Sequence, residues 1–130
     1  MIKMTGVYHT GIPVDDIDRA ERFYISVLGL ELDRRVGEPG SQLSRLKCGN
    51  DTVVLFERPR ALHRDSLKED GVYHQAFELD VDLFDQAVAS IQKAGTSHQI
   101  IERPSGKTIY FWDTEGNYEE IHASRSEEHL

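Results

Sequence analysis

A four-residue stretch that occurs twice constrains this chain more than any other feature. Gly6-Val7-Tyr8-His9 returns as Gly71-Val72-Tyr73-His74, so that the two copies are 65 positions apart in a chain of 130 residues. The spacing persists at two later landmarks, which are each 66 positions apart: Asp16 with Asp82, and Gly29 with Gly95. Similarity that recurs at a nearly constant spacing indicates an internal duplication. We therefore predict two similar modules.

The charge and composition of the chain argue against several kinds of partner. A formal net charge of −8 disfavours a nucleic acid, because its phosphate backbone repels an acidic surface. No apolar run is long enough to form a membrane-spanning helix. The single cysteine, Cys48, cannot form an internal disulfide, which fits a reducing compartment. We expect a cytoplasmic globular protein with no nucleic-acid or membrane partner.

Each half of the chain is predicted to contain one strand, one helix and three further strands. The helices show apolar residues at helical spacing, with Asp16 or Asp82 as the N-cap and Gly29 or Gly95 at the end. The predicted strands are 7–14, 30–36, 43–48, 52–57, 72–79, 98–102, 108–112 and 118–122. The predicted organisation is a first βαβββ module at 1–57, a charged linker at 58–71, a second module at 72–123 and a polar tail at 124–130.

Histidines stand at equivalent positions in the first strand of each half. A lone histidine in a strand is usually a structural residue, whereas His9 and His74 occupy duplicated positions. In the last strand, the alternation of side chains places Glu120 and His122 on one face. Two imidazoles and a carboxylate at repeat-related strands suggest a shared role.

These features together resemble the vicinal oxygen chelate superfamily. The resemblance runs from His9 to His122 and rests on a helix ending in Gly-Leu-Glu-Leu, on His-Gln-Ala-Phe, and on Asp-Thr-Glu-Gly-Asn-Tyr-Glu-Glu. This superfamily includes glyoxalase I, fosfomycin-resistance enzymes, extradiol dioxygenases and metal-free bleomycin-resistance proteins. The resemblance implies an α+β fold of two βαβββ modules whose sheets curl around a metal cavity.

The resemblance implies one divalent metal ion per site, Fe, Mn, Ni or Zn, held by His9, His74 and Glu120. Such a ligand set leaves open positions that can bind two adjacent oxygens of a small substrate. Glyoxalase I has a second glutamate on the last strand of its first half, but the repeat offset leads to Val53 or Val54 here. We therefore predict three protein ligands, as in extradiol dioxygenases and fosfomycin-resistance enzymes.

The resemblance also implies residues that contact the substrate. Tyr110 is predicted to be catalytic, because a phenol beside the metal can donate a hydrogen bond to a bound oxygen. Trp112 has the same strand parity and is predicted to bind substrate. Arg103 and Lys107, in the loop before Tyr110, are predicted to bind substrate as well.

Two classes of function remain open at this point. The first is a metal-dependent enzyme, either a dioxygenase or a lyase or transferase, with a glyoxalase I-like enzyme as a variant; Glu57 or His122 could add a ligand. The second is a metal-free protein that binds a planar drug, as the bleomycin-resistance proteins do. The resemblance implies a homodimer, and the sequence leaves open whether modules pair within one chain or across two.

Overall fold

The same succession of strands and helix occurs twice in a computed structural model of the protein, which describes residues 1–58 and 74–124. The chain divides into two compact units, Met1–His63 and Arg64–Leu130. The predicted linker 58–71 and tail 124–130 lie outside the described residues, except for Arg58 and Ser124. Within the described residues, no helix is long and apolar enough to cross a membrane.

The first unit is a four-stranded sheet with one helix. Strand β1 is parallel to β4, the other neighbouring strands are antiparallel, and the strand order is β1-β4-β3-β2. Its elements are β1 (Thr10–Val14), α1 (Ile17–Ser26), β2 (Glu31–Val36), β3 (Leu43–Cys48) and β4 (Asp51–Glu57).

The second unit repeats this arrangement, with strand order β5-β8-β7-β6 and β5 parallel to β8. Its elements are β5 (Gln75–Asp80), a 3₁₀ turn (Val81–Leu83), α2 (Phe84–Ala94), β6 (His98–Arg103), β7 (Gly106–Trp112) and β8 (Tyr118–Ser124). The predicted α+β fold of two βαβββ modules is therefore confirmed.

Each sheet has one face covered by its helix and one open face. Ile12 and Val14 of β1 are buried, as are Phe23 and Tyr24 of α1, whereas the alternate residue Gly11 is exposed. Alternation along a strand explains this pattern, because successive side chains point to opposite sides of the sheet. In the second unit the buried residues of the helix-covered side include Phe84, Ile91, Ile109 and Phe111.

The start of α1 agrees with the prediction, whereas the start of α2 does not. Asp16 caps α1, with its Oδ1 accepting a hydrogen bond from the backbone N–H of Arg19 at 3.0 Å. In the second unit Asp80 caps the 3₁₀ turn, because its Oδ1 accepts from the N–H of Asp82 at 3.1 Å, and α2 begins after Leu83 with no side-chain cap. The prediction that Asp82 caps α2 was wrong, since β5 runs on to Asp80 and a 3₁₀ turn precedes the helix.

The first predicted strand was too long at its start. The prediction began at residue 7, whereas β1 begins at Thr10. Val7 and Tyr8 are 84% and 75% exposed, despite their high strand propensity. Propensity alone does not form a strand where no neighbouring strand supplies hydrogen bonds.

The turn between β7 and β8 is held by the carboxylate of Asp113. Its Oδ1 accepts the backbone N–H groups of Glu115 and Asn117 at 2.8 and 2.7 Å. Its Oδ2 accepts the side-chain amide of Asn117 at 2.9 Å. Asp113 is only 6% exposed, so water cannot readily replace these bonds. This turn fixes the point at which β8 begins.

Replacing Asp113 tests this account of the turn. Asp113→Ala should lower the free energy of unfolding by about 2–3 kcal/mol, because it leaves donors in a buried turn without an acceptor. Asp113→Asn should lower the free energy of unfolding by less than about half of that amount, since its amide oxygen can still accept the backbone N–H groups. Urea unfolding followed by the fluorescence of Trp112, the single tryptophan, measures both. Equal losses in the two variants would contradict the account.

Candidate metal centre

His74 and Glu120 meet on the open face of the second sheet. Nε2 of His74 lies 3.0 Å from Oε1 of Glu120, and the side chains are 28% and 14% exposed, respectively. The sheet register explains the contact, because Ala76 is paired with Glu120 in the adjacent parallel strand. His74 precedes Ala76 by two positions and therefore has the same strand parity.

This separation fits two ligands of one cation. Imidazole nitrogens and carboxylate oxygens bind divalent metals at about 2.1 Å, so two of them at a right angle lie about 3.0 Å apart. The same distance suits a hydrogen bond in which Nε2 of His74 donates to the carboxylate of Glu120. The spacing of this imidazole and this carboxylate is therefore compatible both with a shared metal ion and with a direct hydrogen bond.

His9 occupies the matching position in the first unit. It immediately precedes β1, as His74 immediately precedes β5. Its Nδ1 atom is buried and has no hydrogen-bond partner among the described residues, although buried polar atoms are normally paired. Across 1–58 and 74–124, no group of three or more His, Cys, Asp or Glu side chains could hold a metal ion. The structure therefore brings together two of the predicted ligands, and His9 belongs to the other unit.

The register of the first sheet identifies the counterpart of Glu120. Gly11, two positions after His9, is paired with Val54 in the adjacent parallel strand. The equivalent pair in the second unit contains Glu120, so Val54 stands where a second acidic ligand would stand. This agrees with the repeat offset. A valine therefore occupies the position at which glyoxalase I has its second glutamate.

Glu57 has a different role. It is paired with Val14, a residue of the helix-covered side of β1. Its Oε1 accepts the backbone N–H groups of Gly40 and Gln42, at 2.9 and 3.0 Å. The carboxylate of Glu57 therefore closes the β2–β3 connection.

Aromatic rings surround His74 on the open face of the second sheet. The rings of Tyr110 and Tyr118 are stacked, with centroids 5.6 Å apart and planes 6° from parallel. The ring of His74 lies edge-on to both, at 6.1 and 6.0 Å. Trp112 extends this group, with its ring 4.9 Å from that of Tyr118. A cavity of about 280 Å³ opens beside these rings and is also lined by Gln99.

The two basic side chains that were predicted to bind substrate lie on opposite faces of the second sheet. Nη2 of Arg103 donates a hydrogen bond to the Tyr110 hydroxyl at 3.4 Å, and its guanidinium lies 5.8 Å from the centre of that ring. Lys107 has the opposite parity, and its Nζ lies 5.9 Å from the ring of Phe84 on α2 and 3.9 Å from Oε2 of Glu102. Arg103 therefore joins the aromatic group, whereas Lys107 lies on the helix-covered side.

His122 contacts the site indirectly, through a residue that the sequence analysis missed. Its Nδ1 lies 2.8 Å from Oγ1 of Thr108, and that oxygen lies 3.5 Å from Oε2 of Glu120. Tyr118 was also missed. Both residues share strand parity with predicted site residues, Thr108 with Tyr110 and Tyr118 with Glu120, and this signal was available in the sequence.

Tyr118 is held in its neutral form. Burial raises the pKa of its phenol above the ordinary value of 10.0, and the nearby Tyr110 and Glu120 raise this pKa further. A phenol that keeps its proton can donate a hydrogen bond to an oxygen on the open face.

Two βαβββ units in one chain are the fold expected of a vicinal oxygen chelate protein. The chain belongs to the Glyoxalase/Bleomycin resistance protein/Dioxygenase superfamily, whose sequence profile matches residues 6–121. It is also similar to the fosfomycin resistance protein FosX of Listeria monocytogenes, with 26% identity over 98% of this chain and 96% of that protein.

Solved structures share the fold. A glyoxylase/bleomycin resistance protein/dioxygenase domain from Frankia sp. EAN1pec has a TM-score of 0.80 at 22% identity, covering 95% of each chain. A variant of Listeria monocytogenes FosX, complexed with Mn(II) and 1S,2S-dihydroxypropylphosphonic acid, has a TM-score of 0.78 at 21% identity, covering 98% of this chain and 99% of that one. TnmS3, an antibiotic binding protein from Streptomyces sp. CB03234, has a TM-score of 0.75 at 19% identity, covering 96% and 100%.

The raised pKa of Tyr118 gives a pH-dependent prediction. In an alkaline titration followed by tyrosinate absorbance, the ionisation missing from Tyr118→Phe should be one that occurs above the ordinary value of 10.0. Because the folded-state pKa is the higher one, this contribution to stability is complete below about pH 10 and is lost as the pH rises further. Above that pH, the unfolding free energy of the wild type should fall more steeply than that of Tyr118→Phe. A missing ionisation at or below the ordinary value would contradict the structure.

Proposed function

We propose that this protein is a divalent-metal-dependent vicinal oxygen chelate enzyme that acts on a small substrate through two adjacent oxygens. The ligands would be His9, His74 and Glu120. The main support is the 3.0 Å contact between His74 and Glu120 on an open sheet face. The matching position of His9, with its buried and unpartnered Nδ1, supports the third ligand. A bound ion would polarise and orient the oxygens of the substrate.

The phenols of Tyr110 and Tyr118 would bind and orient the substrate. Their stacked rings flank His74, so their hydroxyl groups can donate hydrogen bonds to an oxygen held near Glu120. Arg103 would hold the Tyr110 hydroxyl in place and attract an anionic group of the substrate. Trp112 would form the apolar wall beside them. Lys107 is left out of this site, because its side chain lies against Phe84.

Between the possible reactions, we favour the fosfomycin-enzyme type, in which a nucleophile is added to the substrate. Ring cleavage needs an acid–base histidine near the Ile109-Tyr110 pair. The β6 residues with open-face parity are Gln99, Ile101 and Arg103, by their register with β7. His98 has the opposite parity, and its Nδ1 lies 2.9 Å from the carbonyl oxygen of Thr96. Full-length similarity to FosX supports the same choice.

A metal-free drug-binding protein is the second candidate. The stacked pair of Tyr110 and Tyr118, with Trp112 beside it, could hold a planar ring, and the fold is shared with the antibiotic binding protein TnmS3. Thermal-shift measurements separate the two candidates. Divalent metals should raise the melting temperature of an enzyme of the first type, whereas planar drugs alone should raise that of the second.

We also propose a homodimer. The segment before β1 exposes five large apolar side chains, which a partner subunit could cover. They are Met1, Ile2, Met4, Val7 and Tyr8. Since this segment leads directly into His9, dimerisation would also fix the position of the third proposed ligand.

Removing the acidic ligand tests the proposal. Wild-type protein should bind one Mn(II), Fe(II), Ni(II) or Zn(II) ion, and Glu120→Gln should bind it at least about 100-fold more weakly, since even indirect metal contacts are worth about 10- to 100-fold. Elemental analysis after anaerobic loading, followed by calorimetric titration, measures both proteins.

Glu102→Gln is the matched control, because it makes the same chemical change on an exposed strand of the same sheet. This variant should bind metal as the wild type does. Equal, near-zero metal in the wild type and in Glu120→Gln would contradict the proposed function.

A further inference from the structure

Thr108 connects two side chains on the open face of the second sheet. It is fully buried, at 0% exposure, and its Oγ1 lies 2.8 Å from Nδ1 of His122 and 3.5 Å from Oε2 of Glu120. The register makes this possible, because Thr108 is paired with His122, and Glu120 lies two residues before His122 on the same face of β8. The other carboxylate oxygen of Glu120 faces His74.

If both contacts are hydrogen bonds and the carboxylate is ionised, the number of protons leaves only one direction for them. A threonine hydroxyl has one proton to donate, and an ionised carboxylate can only accept. When Thr108 donates to Glu120, Nδ1 of His122 must therefore carry a proton and donate to Thr108. The chain then runs from His122 through Thr108 to Glu120, and it requires the Nδ1–H tautomer of His122.

The first unit provides an internal comparison, because the duplicated sheet has the same register there. Leu43 and Phe56 form the pair that corresponds to Thr108 and His122, and Val54 stands in the place of Glu120. All three positions are apolar in the unit without the carboxylate and polar in the unit that has it. A residue that only packed the sheet would have no reason to change together with the carboxylate.

We propose that Thr108 and His122 are positioning residues that orient the carboxylate of Glu120 for metal binding. This inference rests on the proposed function, in which Glu120 is a metal ligand. With its hydroxyl 3.5 Å from Oε2, Thr108 would restrict rotation of the carboxylate and keep Oε1 beside His74. Because Thr108 is buried, water cannot take the place of a lost hydroxyl.

The hydrogen-bond chain from His122 to Glu120 can be tested with variants that keep the side-chain shape but change the hydrogen bonding. Thr108→Val removes the hydroxyl at nearly constant volume, and His122→Leu removes the donor at the other end. Each should weaken Mn(II) binding by about 10- to 100-fold, as loss of an outer contact to a metal ligand does. Thr108→Ser and His122→Asn keep a hydroxyl and an N–H donor, and should bind Mn(II) with nearly wild-type affinity.

The double variant Thr108→Val/His122→Leu should bind no more weakly than the weaker single variant, because the two residues act as one chain. Calorimetric titration of the full chain gives these affinities, and circular dichroism and melting temperatures identify any variant that fails to fold. Should Thr108→Val not fold, His122→Leu against His122→Asn provides the same comparison.

The outcomes separate the two proposals. If the wild type binds Mn(II), and folded Thr108→Val or His122→Leu binds it with the same affinity, the positioning role alone is overturned. No binding of Mn(II), Fe(II), Ni(II) or Zn(II) by the wild type would overturn the proposed function and this role with it. The tautomer of His122 can be measured without any metal. Nitrogen NMR of the metal-free protein should show a protonated Nδ1 in His122. A proton on Nε2 alone would overturn the hydrogen-bond chain.

Discussion

Parallel pairing of the first and last strands in each unit is the constraint on which the candidate site depends. In the second unit this pairing places Ala76 beside Glu120, and the period of two along a strand then brings His74 to the same face as the carboxylate. A shift of one residue would turn Glu120 toward the helix-covered side, where Glu119 is now fully buried. Buried apolar residues beneath α2, such as Ile109 and Phe111, make that shift costly. The core therefore fixes the geometry of the site on the opposite face.

The duplicated units differ most on their open faces. The helix-covered sides of both units are mainly apolar, as a packed core requires, whereas the open face of the second unit carries the carboxylate and the tyrosines. In the first unit the corresponding row contains Val54 and Arg45, and only His9 retains the chemistry of the second half. Duplication thus preserves the fold through its core, and each exposed face can change separately. Such a division explains how one architecture serves relatives that bind metal ions and relatives that bind antibiotics.

The repeat in the sequence was sufficient to predict the fold, because hydrophobic periodicity and turn residues are local signals. It also predicted the pairing of His74 with Glu120, since strand parity and the family pattern agreed. Parity likewise shows that Lys107 lies opposite Tyr110, although loop position had suggested a shared site. The start of α2 could not be predicted, because Asp80 and Asp82 are equally good capping residues by type, and the end of β5 makes Asp80 the cap of a 3₁₀ turn that precedes the helix. Contacts across strands, such as that of Thr108 with His122, depend on register, which a single strand does not reveal.

The central claim is that one imidazole from each unit binds the same ion as the carboxylate of Glu120. Pulsed electron paramagnetic resonance of the Mn(II)-loaded protein tests it most directly, because nitrogen couplings count the imidazoles bound to the metal. We predict two such imidazoles in the wild type, with one lost in His9→Ala and one lost in His74→Ala. A spectrum without imidazole coupling, or an unchanged number of imidazoles in either variant, would contradict the account.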